Sequence, residues 1–233
     1  MKKIIIFLPL FLSFLTAKSQ DLEKRVSIYL NAGIEKEITE KISTGLEIEG
    51  RFCKSQSEQD LLLKPYIEFS PVKYFSLGAE YRWDLNHQEG SLSSWSGRLG
   101  LYAKAKYGFH GFKAEARFKY CNYSEDYGYW NVDDKVYDQS KKLNYLRPKF
   151  QLSYKIKPLK LTPYVSYEWF YNTARGLVDK DRWTFGLKKK INKIHTLGFE
   201  YKFEEKFNRL SKKGNVKDDI NNNIFAFSYK YSF

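Results

Sequence analysis

The stretch Asn223-Ile224-Phe225-Ala226-Phe227-Ser228-Tyr229-Lys230-Tyr231-Ser232-Phe233 decides how the rest of the chain is read. Phe225, Phe227, Tyr229, Tyr231 and Phe233 alternate with Ile224, Ala226, Ser228, Lys230 and Ser232. A period of two places one set on each face of a β-strand, so this strand meets two different environments. The same alternation recurs upstream in segments 25–35, 42–53, 61–70, 75–84, 95–104, 112–123, 145–156, 161–171, 182–188 and 195–204, which with 224–233 makes eleven. Most run 9 to 13 residues, the length of a tilted strand crossing an apolar layer of about 25 Å.

Composition agrees with strands that are greasy on one face only. Aromatic residues make up 18% of the 233, yet mean hydropathy is −0.58. No stretch after residue 20 is long and apolar enough for a membrane helix. At the N-terminus, Lys2 and Lys3 precede an apolar run from Ile4 to Leu15, and Ala17-Lys18-Ser19 supplies small residues at the positions a signal peptidase reads. Residues 1–19 are therefore expected to be a secretory signal and 20–233 the exported domain.

The formal charge is +13, or +10 once Lys2, Lys3 and Lys18 are set aside. A basic balance is often a nucleic-acid footprint. Here the charges recur every second residue within strands, and an exported chain is kept from nucleic acid. Anionic lipid headgroups and small anionic solutes are the expected partners. Cys53 and Cys121, read as lying on distant strands, are expected to stay unpaired, and no metal-ligand spacing occurs. No cofactor motif occurs either.

Connections alternate between short (36–41, 71–74, 106–111, 157–160, 189–194) and long or polar (54–60, 85–94, 124–144, 172–181, 205–222). Short turns on one side and long loops on the other are the asymmetry of a transmembrane β-barrel. A soluble lipocalin-like barrel would point the aromatics inward. Against it stand an apolar face almost free of charge and aromatics gathered near strand ends, as an interfacial girdle requires. The expectation is an all-β, antiparallel transmembrane β-barrel of about 10–12 strands, with short periplasmic turns and longer extracellular loops. Eleven segments conflict with the even count of single-chain bacterial barrels. Either a strand is missed or one segment does not span, and the first, which by alternation starts outside, is the candidate.

A weak repeat follows each short turn: a polar-facing glutamate between apolar neighbours. These are Glu47, Glu80, Glu115, Glu168 and Glu200, each a similar distance past its turn. Counting back the same distance on the preceding strands gives Lys64, Lys104, Arg147 or Lys149, and Arg182, with Tyr29 on the first strand. These residues are expected to form a lumen belt in which acidic and basic strands alternate. Nearby cations favour ionised carboxylates over acid/base chemistry. The polar faces hold five more cations than acids, so an open pore would prefer anions. The function expected is that of a non-enzymatic barrel, either structural or a narrow pore with a charged lumen, and an outer-membrane lipid-acting hydrolase is the alternative. It needs a Ser-His pair at the lipid boundary, and His87, near Ser91, Ser93 and Ser94, is the histidine on the loop side. His110 and His195 fall in or beside turns. The loop 124–144, with Asp126, Tyr127, Tyr129, Trp130, Asp133 and Asp134, could bind a partner or cover the mouth.

The chain resembles the uncharacterised outer-membrane barrels grouped as domain of unknown function 2490. The matching stretches include Tyr29-Leu30-Asn31-Ala32-Gly33-Ile34-Glu35-Lys36, Phe75-Ser76-Leu77-Gly78-Ala79-Glu80-Tyr81-Arg82, Leu161-Thr162-Pro163-Tyr164-Val165-Ser166-Tyr167-Glu168 and Ser228-Tyr229-Lys230-Tyr231-Ser232-Phe233. The resemblance covers essentially the whole mature chain. It implies an outer-membrane location, with outer-membrane lipids around the wall. A closing strand that ends on Phe implies recognition by the barrel assembly machinery. The resemblance transfers no catalytic residues.

Overall fold

The computed structural model describes residues 23–53, 59–87, 94–124, 128–131, 136–139, 144–173, 176–207 and 220–233. The segment read as an export signal lies outside them, as do Ser91, Ser93 and the loop residues Asp126, Tyr127, Asp133 and Asp134. The strands are β1 (Glu23–Glu37), β2 (Ile42–Cys53), β3 (Gln59–Val72), β4 (Phe75–His87), β5 (Ser94–Phe109), β6 (Phe112–Ser124), β7 (Gly128–Asn131), β8 (Val136–Gln139), β9 (Asn144–Tyr154), β10 (Leu161–Asn172), β11 (Leu177–Lys190), β12 (His195–Lys206) and β13 (Ile220–Ser232). Eleven of them close one barrel, in the order β1-β13-β12-β11-β10-β9-β6-β5-β4-β3-β2. β7 and β8 form a separate hairpin within the stretch read as a plain loop.

The barrel closes in a way that alternation along the chain does not reveal. Ten pairings are antiparallel, but β1 and β13 pair in parallel, with Leu30 beside Phe227 and Ile34 beside Tyr231. The expectations of a wholly antiparallel sheet and of a first segment that does not span are corrected here. β1 has 15 residues and runs the full height. An odd number of strands leaves the first and last pointing the same way, and their pairing removes both exposed edges. Tyr29, Ile224 and Ala226 pack together inside this seam. The backbone of Phe233 donates to Glu35 and accepts from Glu37, which fixes the last residue to the first strand.

Following cross-strand partners once around the sheet, from Arg25 through Glu204, Glu168 and Arg117, returns to β1 about 14 residues away, so the strands tilt by roughly 40°. The short connections gather at one rim. Between β5 and β6 the turn is two residues, His110 and Gly111, both at positive φ, as a tight hairpin that follows the sheet's twist requires. At the other rim the joint 173–176 is tighter than the expected connection 172–181. β11 begins at Leu177, because Lys180 turns inward and continues the strand.

Alternation is inverted relative to a soluble barrel. Leu30 is 50% exposed and Phe227 49%, and Val26, Ile28, Phe118, Phe150, Trp183 and Phe199 share this outward face. Rings touch in sequence around the wall from Phe118 through Phe150, Trp169, Tyr167, Trp183, Phe185 and Tyr201 to Phe225. A second group, Tyr107, Phe109, Phe112 and Tyr154, lines the short-turn rim. The polar residues face the lumen. No disulfide joins Cys53 and Cys121, which lie on β2 and β6.

Candidate functional site

Inward positions on neighbouring strands bring opposite charges together across the lumen. Glu168 of β10 receives Arg117 of β6 at 2.6 Å, Arg147 of β9 at 3.0 Å and Arg182 of β11 at 3.8 Å. Arg182 also donates its Nε to Glu204 of β12 at 3.0 Å, where Lys180 and Lys206 approach at 3.4 and 3.8 Å. On the facing wall Glu80 of β4 is held by Lys119 of β6 and by Arg98 of β5, the latter at 3.4 Å. Arg82 pairs with Asp84, and Arg51 with Glu49 at 2.5 Å. Phe170 fills the space among Arg147, Lys180 and Arg182, whose charged groups lie 4.3, 4.0 and 5.1 Å from its ring centre. A cation over a desolvated ring face is stabilised by the ring's quadrupole.

The burial of this layer settles its chemistry. Lys119 is 3% exposed, Glu168 5% and Glu204 3%. Side chains lining a continuous water channel would stay wet, whereas these arginines and lysines are withdrawn from water and pack against the carboxylates and Phe170. Charges removed from water this far are tolerable only when paired and hydrogen-bonded.

The predicted belt residues all point inward, but they do not form one ring. Glu80 and Glu168, with Arg147 and Arg182, belong to the buried layer. Lys149 is the direct cross-strand partner of Glu168. Glu47 pairs with Lys64 and is 42% exposed to the lumen. Glu200 pairs with Lys202 at 2.9 Å. Glu115 sits nearest its turn and pairs with Lys113 at 3.1 Å. Lys104 serves Glu68. The residue opposite Glu200 on β11 is Gly186, and Arg182 instead faces Glu204. Counting from turns missed Glu35, Lys106 and Lys180. Two of these lie in segments read as connections, and Glu35 stands outside the repeat.

A model described as "Protein of unknown function (DUF2490)" matches residues 26–213. The chain belongs to the DUF2490 family. No curated protein sequence matches it. Among solved structures, this DUF2490 chain is similar to an anion-selective porin from Comamonas acidovorans at 11% identity and a TM-score of 0.38. The match covers 83% of this chain and 54% of the porin, so the chain spans about half the porin's length. A second structure, described as "Unveiling the Mechanism Behind the in-meso Crystallization of Membrane Proteins", matches at 15% identity and a TM-score of 0.39, covering 82% of this chain and 86% of the other.

The DUF2490 barrel carries a further inward pattern, repeated three times. Tyr66, Gly45 and Glu35 are successive cross-strand partners on β3, β2 and β1. Tyr102, Gly78 and Glu68 repeat this on β5, β4 and β3, and Tyr164, Gly186 and Glu200 on β10, β11 and β12. Each tyrosine lies across the glycine and donates its hydroxyl to the glutamate beyond, at 2.5 Å for Glu35 and 3.1 Å for Glu68. A Cβ at Gly45 would stand 2.6 Å from Tyr66 Cζ, and those at Gly78 and Gly186 would meet their tyrosines closer still. Only glycine leaves room for the ring.

The histidines of this DUF2490 chain do not gather a hydrolase site among the described residues. His195 Nδ1 lies 2.7 Å from the Tyr229 hydroxyl on the outer wall, stacked on that ring. His110 is a turn residue. His87 ends β4, and its side chain lies outside the described ones.

Proposed function

We propose that this protein is an outer-membrane β-barrel whose lumen is closed at mid-height by ion pairs. In this reading it is a structural barrel with a charged interior, surrounded by outer-membrane lipids and assembled through its aromatic terminal strand. The carrying observation is the buried layer around Glu80, Glu168 and Glu204 inside a wall whose outer face is apolar. An exposed apolar surface of this extent is unstable in water and stable in lipid. Strands of 12 to 14 residues, tilted as these are, rise about 30–35 Å, enough for a bilayer's apolar core. The short-turn rim then faces the periplasm and the long-loop rim the exterior.

Planar-bilayer recording on the refolded barrel tests the closed lumen. Wild type should give no discrete steps, whereas Glu168→Ala/Arg117→Ala/Arg147→Ala, which removes the centre of the layer, should conduct. Steady wild-type steps would replace this reading with a narrow pore.

A further inference from the structure

On the short-turn side of the ion-pair layer the lumen holds a polar cavity of about 330 Å³. Glu80 and Arg117, members of the ion-pair layer, line it on one side, and residues of β1, β2, β3, β5 and β13 form the rest of its wall. This volume is at the small end of the range for small-molecule sites. Its cations are Lys64, Lys104, Lys106, Arg117 and Lys230, against the carboxylates Glu35, Glu47, Glu68 and Glu80.

The surplus of one charge matters less than which groups still have hydrogen-bonding capacity. Glu35 accepts from Lys230 and Tyr66, both at 2.5 Å. Glu68 accepts from Lys104 and Tyr102 and has Lys106 at 3.5 Å. Glu80 is taken up by Lys119 and Arg98. An ammonium has three donors, and one carboxylate contact leaves others to offer. Glu47, held by Lys64 alone and 42% exposed, keeps open acceptor sites. The cavity therefore presents ammonium N–H groups, while three of its four carboxylates are taken up. Residue type follows the same division. Arginines, with rigid forks, dominate the buried layer. Lysines, point charges on flexible stems, line the cavity and can swing onto a guest.

We propose that this vestibule is a binding site for a small, multiply charged anion bearing phosphate or carboxylate groups, entering from the short-turn rim and held chiefly by Lys64, Lys106 and Lys230. The proposal rests on the closed lumen, because a blind end retains a solute that an open channel would pass.

The test is isothermal titration calorimetry on the refolded, full-length barrel in an uncharged detergent at low ionic strength. Pyrophosphate and citrate serve as the phosphate and carboxylate probes, and magnesium chloride as the cation probe. At least one anion should bind at one per barrel, and Lys64→Ala/Lys106→Ala should weaken it tenfold or more. Lys157→Ala/Lys160→Ala, which removes two charges from a turn outside the cavity, should change it less than twofold. Lys64→Arg/Lys106→Arg should retain binding, which separates loss of charge from loss of fold, and gel mobility with and without heating checks each variant. Absence of heat from both anions, equal weakening by the turn variant, or binding of magnesium as tight as that of the anions would overturn the proposal. Wild-type conductance together with intact anion binding would remove the closed lumen and leave the site. A silent bilayer with no anion binding would do the reverse.

Discussion

Replacing Glu168 by alanine is the most direct challenge to the ion-pair layer. The carboxylate sits 2.6, 3.0 and 3.8 Å from Arg117, Arg147 and Arg182, with Lys149 as its cross-strand partner. Arg182 keeps Glu204, but Arg117 and Arg147 lose the acid they share. Breaking a buried pair by removing one partner costs about 3–5 kcal/mol. The expected loss for Glu168→Ala is therefore about 3–5 kcal/mol. Glu168→Gln keeps an acceptor oxygen and should lose about half as much, as a hydrogen bond to a charged group is worth about 1.5–3 kcal/mol. The assay is urea unfolding of the barrel in lipid vesicles, followed by tryptophan fluorescence and checked for reversibility. Glu47→Ala is the internal comparison. Its pair with Lys64 is 42% exposed on the acid side, so the cost should stay under about 1 kcal/mol. If Glu168→Ala costs no more than Glu47→Ala, the buried layer is not a coupled network and the reasoning fails.

Three other outcomes follow from the geometry. Gly78→Ala should destabilise by about 1–3 kcal/mol, because the new methyl displaces the Tyr102 ring and its bond to Glu68; an unchanged urea midpoint would contradict the packing described. Leu30→Cys/Phe227→Cys, with the native cysteines replaced by serine, should cross-link on mild oxidation, since paired β positions fall within disulfide reach; absence of a link would refute the parallel seam. Trp183, 41% exposed on the outer wall, should be quenched in vesicles of brominated-chain lipid, and a fluorescence insensitive to bromine would argue against the membrane-spanning reading.

Much of the wall was legible because side-chain period and environment coincide on each strand. Phe225, Phe227 and Tyr229 could be assigned to one face without knowing any neighbour. The closure was not legible, since nothing local to Leu30 or Phe227 records that their strands run in parallel. The lumen was legible as to direction but not as to partnership. Glu200 and Arg182 were placed at one height by counting from turns, yet the tilt sets Arg182 against Glu204 and leaves Gly186 beside Glu200. Lys106 and Lys180 were lost for a simpler reason: charge clusters at segment ends read as connections, and here the strands continue through them. The tyrosine-over-glycine ties leave a trace in the sequence, a glycine at an inward position, but its meaning depends on a register that only the closed sheet supplies.

The parallel seam also limits how this fold can be rewired. In a barrel with an even number of strands the start of the first strand and the end of the last lie at one rim, and a short linker suffices for circular permutation. Here the start of β1 lies beside the start of β13, so the end of β13 is one full strand away from it. A joining segment would have to travel the 13 residues of β13 in reverse, roughly 40 Å of extended chain, along the barrel wall. Such a permutant requires a twelfth strand, and the most economical one would be antiparallel, inserted between β13 and β1. An added strand at this position would turn the odd barrel into an even one.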